Sequence, residues 1–199
     1  SETKNIRWKI EIPGRGSSSP VVWGDRLFVT TAIPMGITGA AAHEPRGQIQ
    51  PRDVHQFRIL AIDRRTGRVV WERTPRQEQP RAPSTKDGTW ASSSAITDGR
   101  RVFAFFDSSG LYAYDMQGAQ LWEKRFGDKK IFAEVGESGS TPVLYGDRLV
   151  VVWDHQGASF IVALNASTGQ ELWRTERQDV DSWGTPLVVE HDGRAQVVT

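Results

Sequence analysis

The chain has 199 residues, of which 38% are hydrophobic and 25% are charged, a composition that supports a packed core and argues against global disorder. Lys and Arg number 25 against 24 Asp and Glu, so there is no basic excess to indicate a nucleic-acid partner. The absence of cysteine excludes disulfides and thiolate metal sites, and no apolar run is long enough to span a membrane.

The first predicted elements are a single extended segment and a four-stranded unit. Residues 4–16 have the pattern of one strand. Within residues 17–73, Gly24-Asp25 joins two short apolar strands and Thr66-Gly67 joins two more, because both dipeptides are typical of tight turns between antiparallel strands. A long inserted loop over residues 33–56 is expected between the two strand pairs.

The same unit then recurs along the chain. Residues 91–126 and residues 138–176 each repeat the two strand pairs, and residues 182–199 begin a further copy. The repeats are marked by tryptophans spaced 51 residues apart, with one more in the first segment. These are Trp8, Trp71, Trp122 and Trp173.

This repetition predicts how the units assemble. Four antiparallel strands in about fifty residues cannot bury both of their faces alone, so neighbouring units must stack on each other. Radial stacking of four-stranded sheets is a β-propeller. The sequence therefore predicts an all-β fold, a single domain over residues 1–199 that forms a partial propeller of about three full blades plus flanking strands. Residues 4–16 would supply the last strand of a preceding blade.

Each unit ends in a motif of the form Ala-x-Asp/Asn-x-x-Thr-Gly-x-x-x-Trp. The matching residues are Ala61, Asp63, Thr66, Gly67 and Trp71 in the first unit, and Ala163, Asn165, Thr168, Gly169 and Trp173 in the third. The second unit keeps Ala113, Asp115, Gly118 and Trp122 but lacks the threonine. The motif resembles the tryptophan-docking motif of the pyrroloquinoline-quinone-like repeat family. The resemblance implies that the four tryptophans dock between blades, and that further blades complete a ring of seven or eight.

The resemblance also implies a set of functions. The repeat serves in non-catalytic scaffolds, such as the lipoprotein of the outer-membrane β-barrel assembly machinery, and in quinone-dependent dehydrogenases. We favour a scaffold without cofactor that is periplasmic or associated with the outer membrane and binds a protein partner through loops or strand edges. The alternatives are part of an alcohol or sugar dehydrogenase with pyrroloquinoline quinone and calcium, or a propeller that binds a small ligand or carbohydrate. The dehydrogenase is disfavoured because Asn5 and Asn165 are the only asparagines available as calcium ligands.

Loop lengths indicate which end of the blades carries the site. Strand alternation places all of the long connections on one rim, and rigid frameworks usually carry binding residues on such loops. The candidate ligand-binding residues on this rim are Trp90, Glu137, Asp154, His155, Asp181 and Trp183. Aromatic and carboxylate side chains together could hold a small ligand, a cation or a peptide. The alternative is that the tryptophans pack under their loops and the acids are solvated. No histidine pair has the spacing of a metal site.

Overall fold

A computed structural model describes residues 4–36, 48–85, 87–131 and 139–199. Apart from one 3-10 turn at Asp107–Ser109, all of the regular structure in these ranges is β-strand. In chain order the strands are β1 (Val21–Trp23), β2 (Arg26–Pro34), β3 (Gln48–Ile49), β4 (His55–Asp63), β5 (Val69–Glu78), β6 (Ser84–Thr85), β7 (Ile96–Thr97), β8 (Arg101–Phe105), β9 (Leu111–Asp115), β10 (Gln120–Lys124), β11 (Val143–Tyr145), β12 (Arg148–Trp153), β13 (Phe160–Asn165), β14 (Glu171–Glu176), β15 (Leu187–His191) and β16 (Arg194–Val198).

Three four-stranded antiparallel sheets form the blades. Their strand orders are β1-β2-β4-β5, β7-β8-β9-β10 and β11-β12-β13-β14. The hairpin β15-β16 follows the third sheet, and β3 pairs with β6 in a small separate ladder. The predicted fold class is therefore confirmed: the chain is a partial β-propeller of four-stranded antiparallel blades. No helix in the described ranges is long and apolar enough to cross a membrane.

The connection that the sequence predicts as a loop over residues 33–56 is shorter in the structure. Strand β2 continues to Pro34 and β4 begins at His55, because Ile33 pairs with Gln56 and Pro34 with His55. Part of the remaining connection forms β3, which pairs with the segment that leads into the second blade. The apolar pattern did not predict these pairings because the backbone ladder extends to Pro34, which is unusual inside a strand, and to the polar residues His55 and Gln56.

The hydrophobic core lies between the blades. Along β8, Val102 and Ala104 pack in the cluster shared with the first blade, whereas Phe103 and Phe105 pack in the cluster shared with the third blade. Successive side chains of a strand point to opposite faces of the sheet, so this alternation gives the middle blade two apolar faces. Each face is buried only by a neighbouring blade, which explains why the units occur in series.

The docking tryptophans contact the outer hairpin of the following blade. The indole N–H of Trp71 donates a hydrogen bond to the carbonyl of Met116 at 3.0 Å, and that of Trp122 donates to the carbonyl of Ala166 at 3.0 Å. Trp8 makes the same contact with the carbonyl of Arg64 at 2.9 Å. Each acceptor directly follows the Asp or Asn that organises the turn, so the repeat motif presents the same carbonyl in every blade.

Each of these indoles also packs closely against a glycine. Gly118 and Gly169 have φ values of +84° and +71°, and a Cβ atom at either position would lie 2.8 Å from an atom of the docked ring. The turn therefore needs glycine for its backbone conformation and for the close approach of the indole. Trp173 is 38% exposed and contacts no outer hairpin within the described ranges. Its docking role remains a prediction.

A second repeated contact links the segments that lead into the innermost strands. The backbone N–H of Ser19 donates to the hydroxyl of Ser94 at 3.0 Å, and that of Ser94 donates to the hydroxyl of Thr141 at 3.0 Å. The N–H of Thr141 in turn donates to the hydroxyl of Thr185 at 3.2 Å. This hydroxyl ladder satisfies one backbone donor per blade and joins each blade to the next near the inner strands.

The blade boundaries drawn from the sequence remain predictions, and so does the assignment of residues 4–16 to a preceding blade. In the structure this segment pairs through a single bridge between Arg15 and Ala32, and it forms no ladder within the described ranges. It also contacts the first blade through the indole N–H of Trp8 and through the carbonyl of Pro13, which accepts a hydrogen bond from the Thr31 hydroxyl.

Candidate functional site

Of the five candidate residues within the described ranges, Trp90 makes no hydrogen bond or ring contact with the other four. Trp90 lies between the first and second blades, where it packs against the core that these two blades share. Asp154, His155, Asp181 and Trp183 lie on the third blade and on the connection that follows it. The sixth candidate, Glu137, lies outside the described residues. The sequence pattern predicts that all six residues lie on one rim, but it does not predict the distances between their side chains.

Trp90 is held on two sides. Its indole N–H donates to the carbonyl of Ala82 at 3.0 Å, and its ring meets the imidazole of His55 edge-on, with the ring centroids 4.7 Å apart. His55 is buried, and this desolvation lowers its pKa below the value of a free histidine. Sequence reasoning selected Trp90 but missed His55, whose position at the first residue of β4 was hidden in the predicted loop.

Asp154 is part of a buried ion pair and is not a free ligand. Its side chain is 1% exposed, and the Nε atom of Arg177 lies 2.8 Å from its Oδ1 atom. Arg177 also binds the carboxylate of Asp179 at 2.8 Å. Because a buried carboxylate without a partner is costly, the contact fixes the chain after β14 against the end of β12.

A second buried ion pair lies on the same rim. The Nζ atom of Lys129 is 3.3 Å from Oδ1 of Asp107, and both side chains are almost fully buried. The same ammonium group lies 5.2 Å from the ring centroid of Trp153, at a distance typical of a cation–π contact. Lys129 thereby anchors the connection after the second blade, which gives it a structural role.

The remaining candidates differ in exposure. The ring of His155 packs edge-on to Trp153 at 5.9 Å, and burial lowers the pKa of His155. Asp181 accepts a hydrogen bond from the side chain of Gln156 at 3.4 Å. Trp183 is 53% exposed and makes no hydrogen bond or ring contact with the described residues. Trp183 is therefore the candidate whose side chain is open to a partner.

We expect Asp154→Ala to lower the free energy of unfolding by about 1–3 kcal/mol, because the change leaves part of the Arg177 guanidinium without its buried acceptor. The matched control is Asp179→Ala, which removes the exposed partner of the same arginine and is expected to cost less than about 1 kcal/mol. Urea denaturation followed by circular dichroism measures both. Equal losses would contradict a structural role for Asp154.

Buried His55 and half-buried His155 predict a pH dependence of stability. Desolvation holds their pKa values below the ordinary histidine value of 6.5 in the folded chain, so the unfolded chain binds more protons as the pH falls below 6.5. Their contribution to stability is present above that pH and is lost as the pH falls through the folded-state values. We expect the melting temperature to drop between pH 7 and pH 5, and the drop to shrink in the His55→Gln/His155→Gln variant. His191→Gln, at an exposed position, should leave the drop unchanged.

The described residues do not fit a quinone held by calcium. No group of three or more His, Asp or Glu side chains within the described ranges can hold a metal ion. The Oδ1 atom of Asn165 accepts the backbone N–H groups of Ser167 and Thr168 in an outer turn. On the loop-rich rim, Asp154 and Asp107 are bound to Arg177 and Lys129. These three side chains, which carry oxygen atoms of the kind that calcium binds, are thus already engaged in contacts within the chain.

Comparison with known proteins gives a match to one family and to several solved structures. The model of the family described as "Outer membrane protein assembly factor BamB" matches residues 1–192. No curated protein matches the chain. Among solved structures, the chain is similar to a europium-containing methanol dehydrogenase, with 16% identity and a TM-score of 0.50 over 80% of this chain and 24% of that one.

Two other solved structures are also similar. One is BamB from Moraxella catarrhalis, with 17% identity and a TM-score of 0.48 over 90% of this chain and 58% of that one. The other is a quinohemoprotein alcohol dehydrogenase from Comamonas testosteroni, with 16% identity and a TM-score of 0.47 over 82% of this chain and 21% of that one. The chain thus spans about a quarter of the methanol dehydrogenase and less than two thirds of BamB. The likeness to the methanol dehydrogenase shows the fold alone.

Proposed function

We propose that this chain, which belongs to the family of the outer membrane protein assembly factor BamB, is part of a non-catalytic propeller that binds a protein partner in the bacterial cell envelope. The proposal places the protein in the periplasm or at the outer membrane. It assigns the partner to the machinery that assembles outer membrane proteins. Further blades of the same propeller would complete the ring.

The observation that carries the proposal is a pair of exposed apolar side chains between β14 and β15. Val180 is 61% exposed and Trp183 is 53% exposed. Large apolar groups at this exposure, and tryptophan above all, are typical of the few residues that dominate a protein interface. We call residues 178–184 the exposed segment. It directly follows Arg177, whose buried ion pair with Asp154 holds the start of the segment against the third blade.

The distribution of charge on this rim supports binding over catalysis. Asp154 and Asp107 are bound to cations inside the blades, so neither is available to take a proton from a substrate. The exposed segment instead presents apolar side chains next to a buried ion pair that holds the backbone. Such a surface stabilises a complex when a partner covers it.

The proposal is tested by binding to the purified outer membrane assembly machinery, measured by interferometry with the chain immobilised. We expect Val180→Ser/Trp183→Ser to weaken binding at least tenfold, since truncation of a central tryptophan is typically worth about 2 kcal/mol or more. Val69→Ser, at an exposed position at the start of β5, is the matched control and should bind as the unchanged chain does. Absence of binding by the unchanged chain, or equal loss in the control, would contradict the proposal.

The dehydrogenase alternative has its own direct test. Calcium and pyrroloquinoline quinone are titrated onto the protein while tryptophan fluorescence is recorded, and alcohol oxidation is then followed with an electron-accepting dye. We expect neither saturable quenching nor turnover. Saturable binding with turnover would replace the scaffold proposal by the enzymatic one.

A further inference from the structure

A cavity of about 180 Å³ lies where the insertion after β2 returns to the first blade. The ladder between β3 and β6 places Ile49 opposite Ser84 and brings both residues to the cavity wall. Ala32 of β2 and His55 of β4 line it from the blade. An engineered cavity of about 150 Å³ holds a benzene molecule, so the space suits a ligand with one small ring and a substituent.

One wall of the cavity is aromatic and rigid. Trp90 and His55 meet edge-on there, and each ring is fixed by a hydrogen bond from one nitrogen. The indole N–H of Trp90 donates to the carbonyl of Ala82, and Nδ1 of His55 donates to the carbonyl of Asp53 at 2.9 Å. Because the carbonyl accepts, the proton of the neutral imidazole is on Nδ1. The wall therefore presents flat apolar surface without adding a cation.

The rim of the cavity carries an excess of positive charge. Arg15 and Arg52 line it, and in the described part of the chain neither guanidinium has a hydrogen bond or an ion pair. Among the described lining residues the one acid is Asp53, and its carboxylate lies against the backbone of Gly36. Arg15 is held in place, because its backbone N–H and carbonyl both pair with Ala32 at 3.0 and 2.9 Å.

Several other arginines in the described ranges show which ligand a guanidinium group prefers. Arg76, Arg101 and Arg174 each lie within 2.7 Å of a carboxylate oxygen. A guanidinium presents a planar fork of donors that matches a carboxylate, and this geometry favours carboxylate over a spherical anion. Two guanidinium groups among the lining residues of a cavity with an aromatic wall therefore favour an aromatic carboxylate as its ligand.

We infer that this cavity binds a small aromatic carboxylate, with the ring against Trp90 and His55 and the carboxylate at Arg15 and Arg52. The site is separate from the exposed segment at residues 178–184, so its occupation does not depend on the proposed protein partner. Ala32 and Ile49 add apolar surface to the lining, which favours the ring of such a ligand.

The test uses benzoate as the probe and benzyl alcohol as its neutral counterpart. Binding is followed through the indole N–H signals of the 15N-tryptophan-labelled chain, with the Trp90 signal assigned from Trp90→Phe. We expect benzoate to shift the Trp90 signal saturably and to leave the Trp183 signal in place. Benzyl alcohol should bind at least tenfold more weakly, since it lacks the charge that the arginines recognise.

Arginine variants test whether Arg15 and Arg52 bind the carboxylate. Arg15→Gln/Arg52→Gln should weaken benzoate binding at least tenfold, whereas Arg100→Gln, at an exposed arginine of the β7-β8 turn, should leave it unchanged. The melting temperature of each variant shows that it is folded. Three results would overturn the inference: no saturable shift with benzoate, equal binding of benzyl alcohol, or benzoate binding that the double variant retains.

Discussion

Trp71→Ala is expected to lower the free energy of unfolding by about 3–5 kcal/mol, as for a large aromatic side chain removed from a core. The indole is 8% exposed and packs against Phe28 and Tyr114, with ring centroids 5.9 and 6.1 Å away. Its N–H bond to Met116 is lost as well. The residue belongs to the first blade but its partners Tyr114 and Met116 belong to the second, so the change separates two blades.

The measurement for Trp71 is urea denaturation followed by far-ultraviolet circular dichroism, which does not depend on tryptophan emission. The matched control is Trp183→Ala, whose ring is 53% exposed and makes no ring contact with the described residues. Its cost should stay within about 0.5 kcal/mol, as for surface substitutions in general. Comparable losses in the two variants would mean that Trp71 does not join the blades.

Gly169→Ala is expected to cost about 2–5 kcal/mol, from two separate causes. The residue has a φ of +71°, and the left-handed conformation costs a residue with a Cβ atom about 1–2 kcal/mol. The new methyl group would lie 2.8 Å from Cδ2 of Trp122, so the docked indole must shift. Overpacking of this kind adds about 1–3 kcal/mol.

Gly146→Ala separates the two causes. Gly146 has a φ of +56° but no atom within 4 Å of an added Cβ, so only the conformational cost of about 1–2 kcal/mol remains. Thermal and urea denaturation of both variants measure the difference. In the Trp122→Ala background, Gly169→Ala should lose its steric part and cost about as much as Gly146→Ala. An additive pair would show that the indole does not rest on this glycine.

The fold was predictable because its signals are local. Gly67 and Gly169 mark turns in which a positive φ is needed, and Trp71 and Trp173 recur after them at a fixed distance. These signals predict the strands, the hairpins and their repetition without knowledge of contacts between residues distant in the chain. The family match over residues 1–192 confirms the resemblance that the motif indicated.

The hydroxyl ladder was missed although the sequence carried a trace of it. Ser19, Ser94, Thr141 and Thr185 occupy the same position in four successive units. A hydroxyl residue before a strand is common, so the position alone does not reveal the contact. Only the stacking of blades brings each hydroxyl within reach of the backbone N–H of the unit before it.

The sequence nominates candidate residues, but it does not predict which of them are already bound, because that depends on partners far away in the chain. Asp154 is bound by Arg177, which lies 23 residues later, and nothing in the local sequence couples them. The same holds for Trp90 and His55, which meet across two blades. Residue type and loop position can indicate which acids and aromatic residues are candidates. Ion pairs and ring contacts decide which of their side chains are open to a ligand, and these contacts form only when the blades stack.

The most direct test of the blade-docking arrangement is hydrogen exchange of the indole N–H groups, read by NMR on the 15N-tryptophan-labelled chain. The hydrogen bonds to Met116 and Ala166 predict that the N–H groups of Trp71 and Trp122 exchange at least about a hundredfold more slowly than that of Trp183. Exchange at one common fast rate for all three would contradict the docking of each blade on the next.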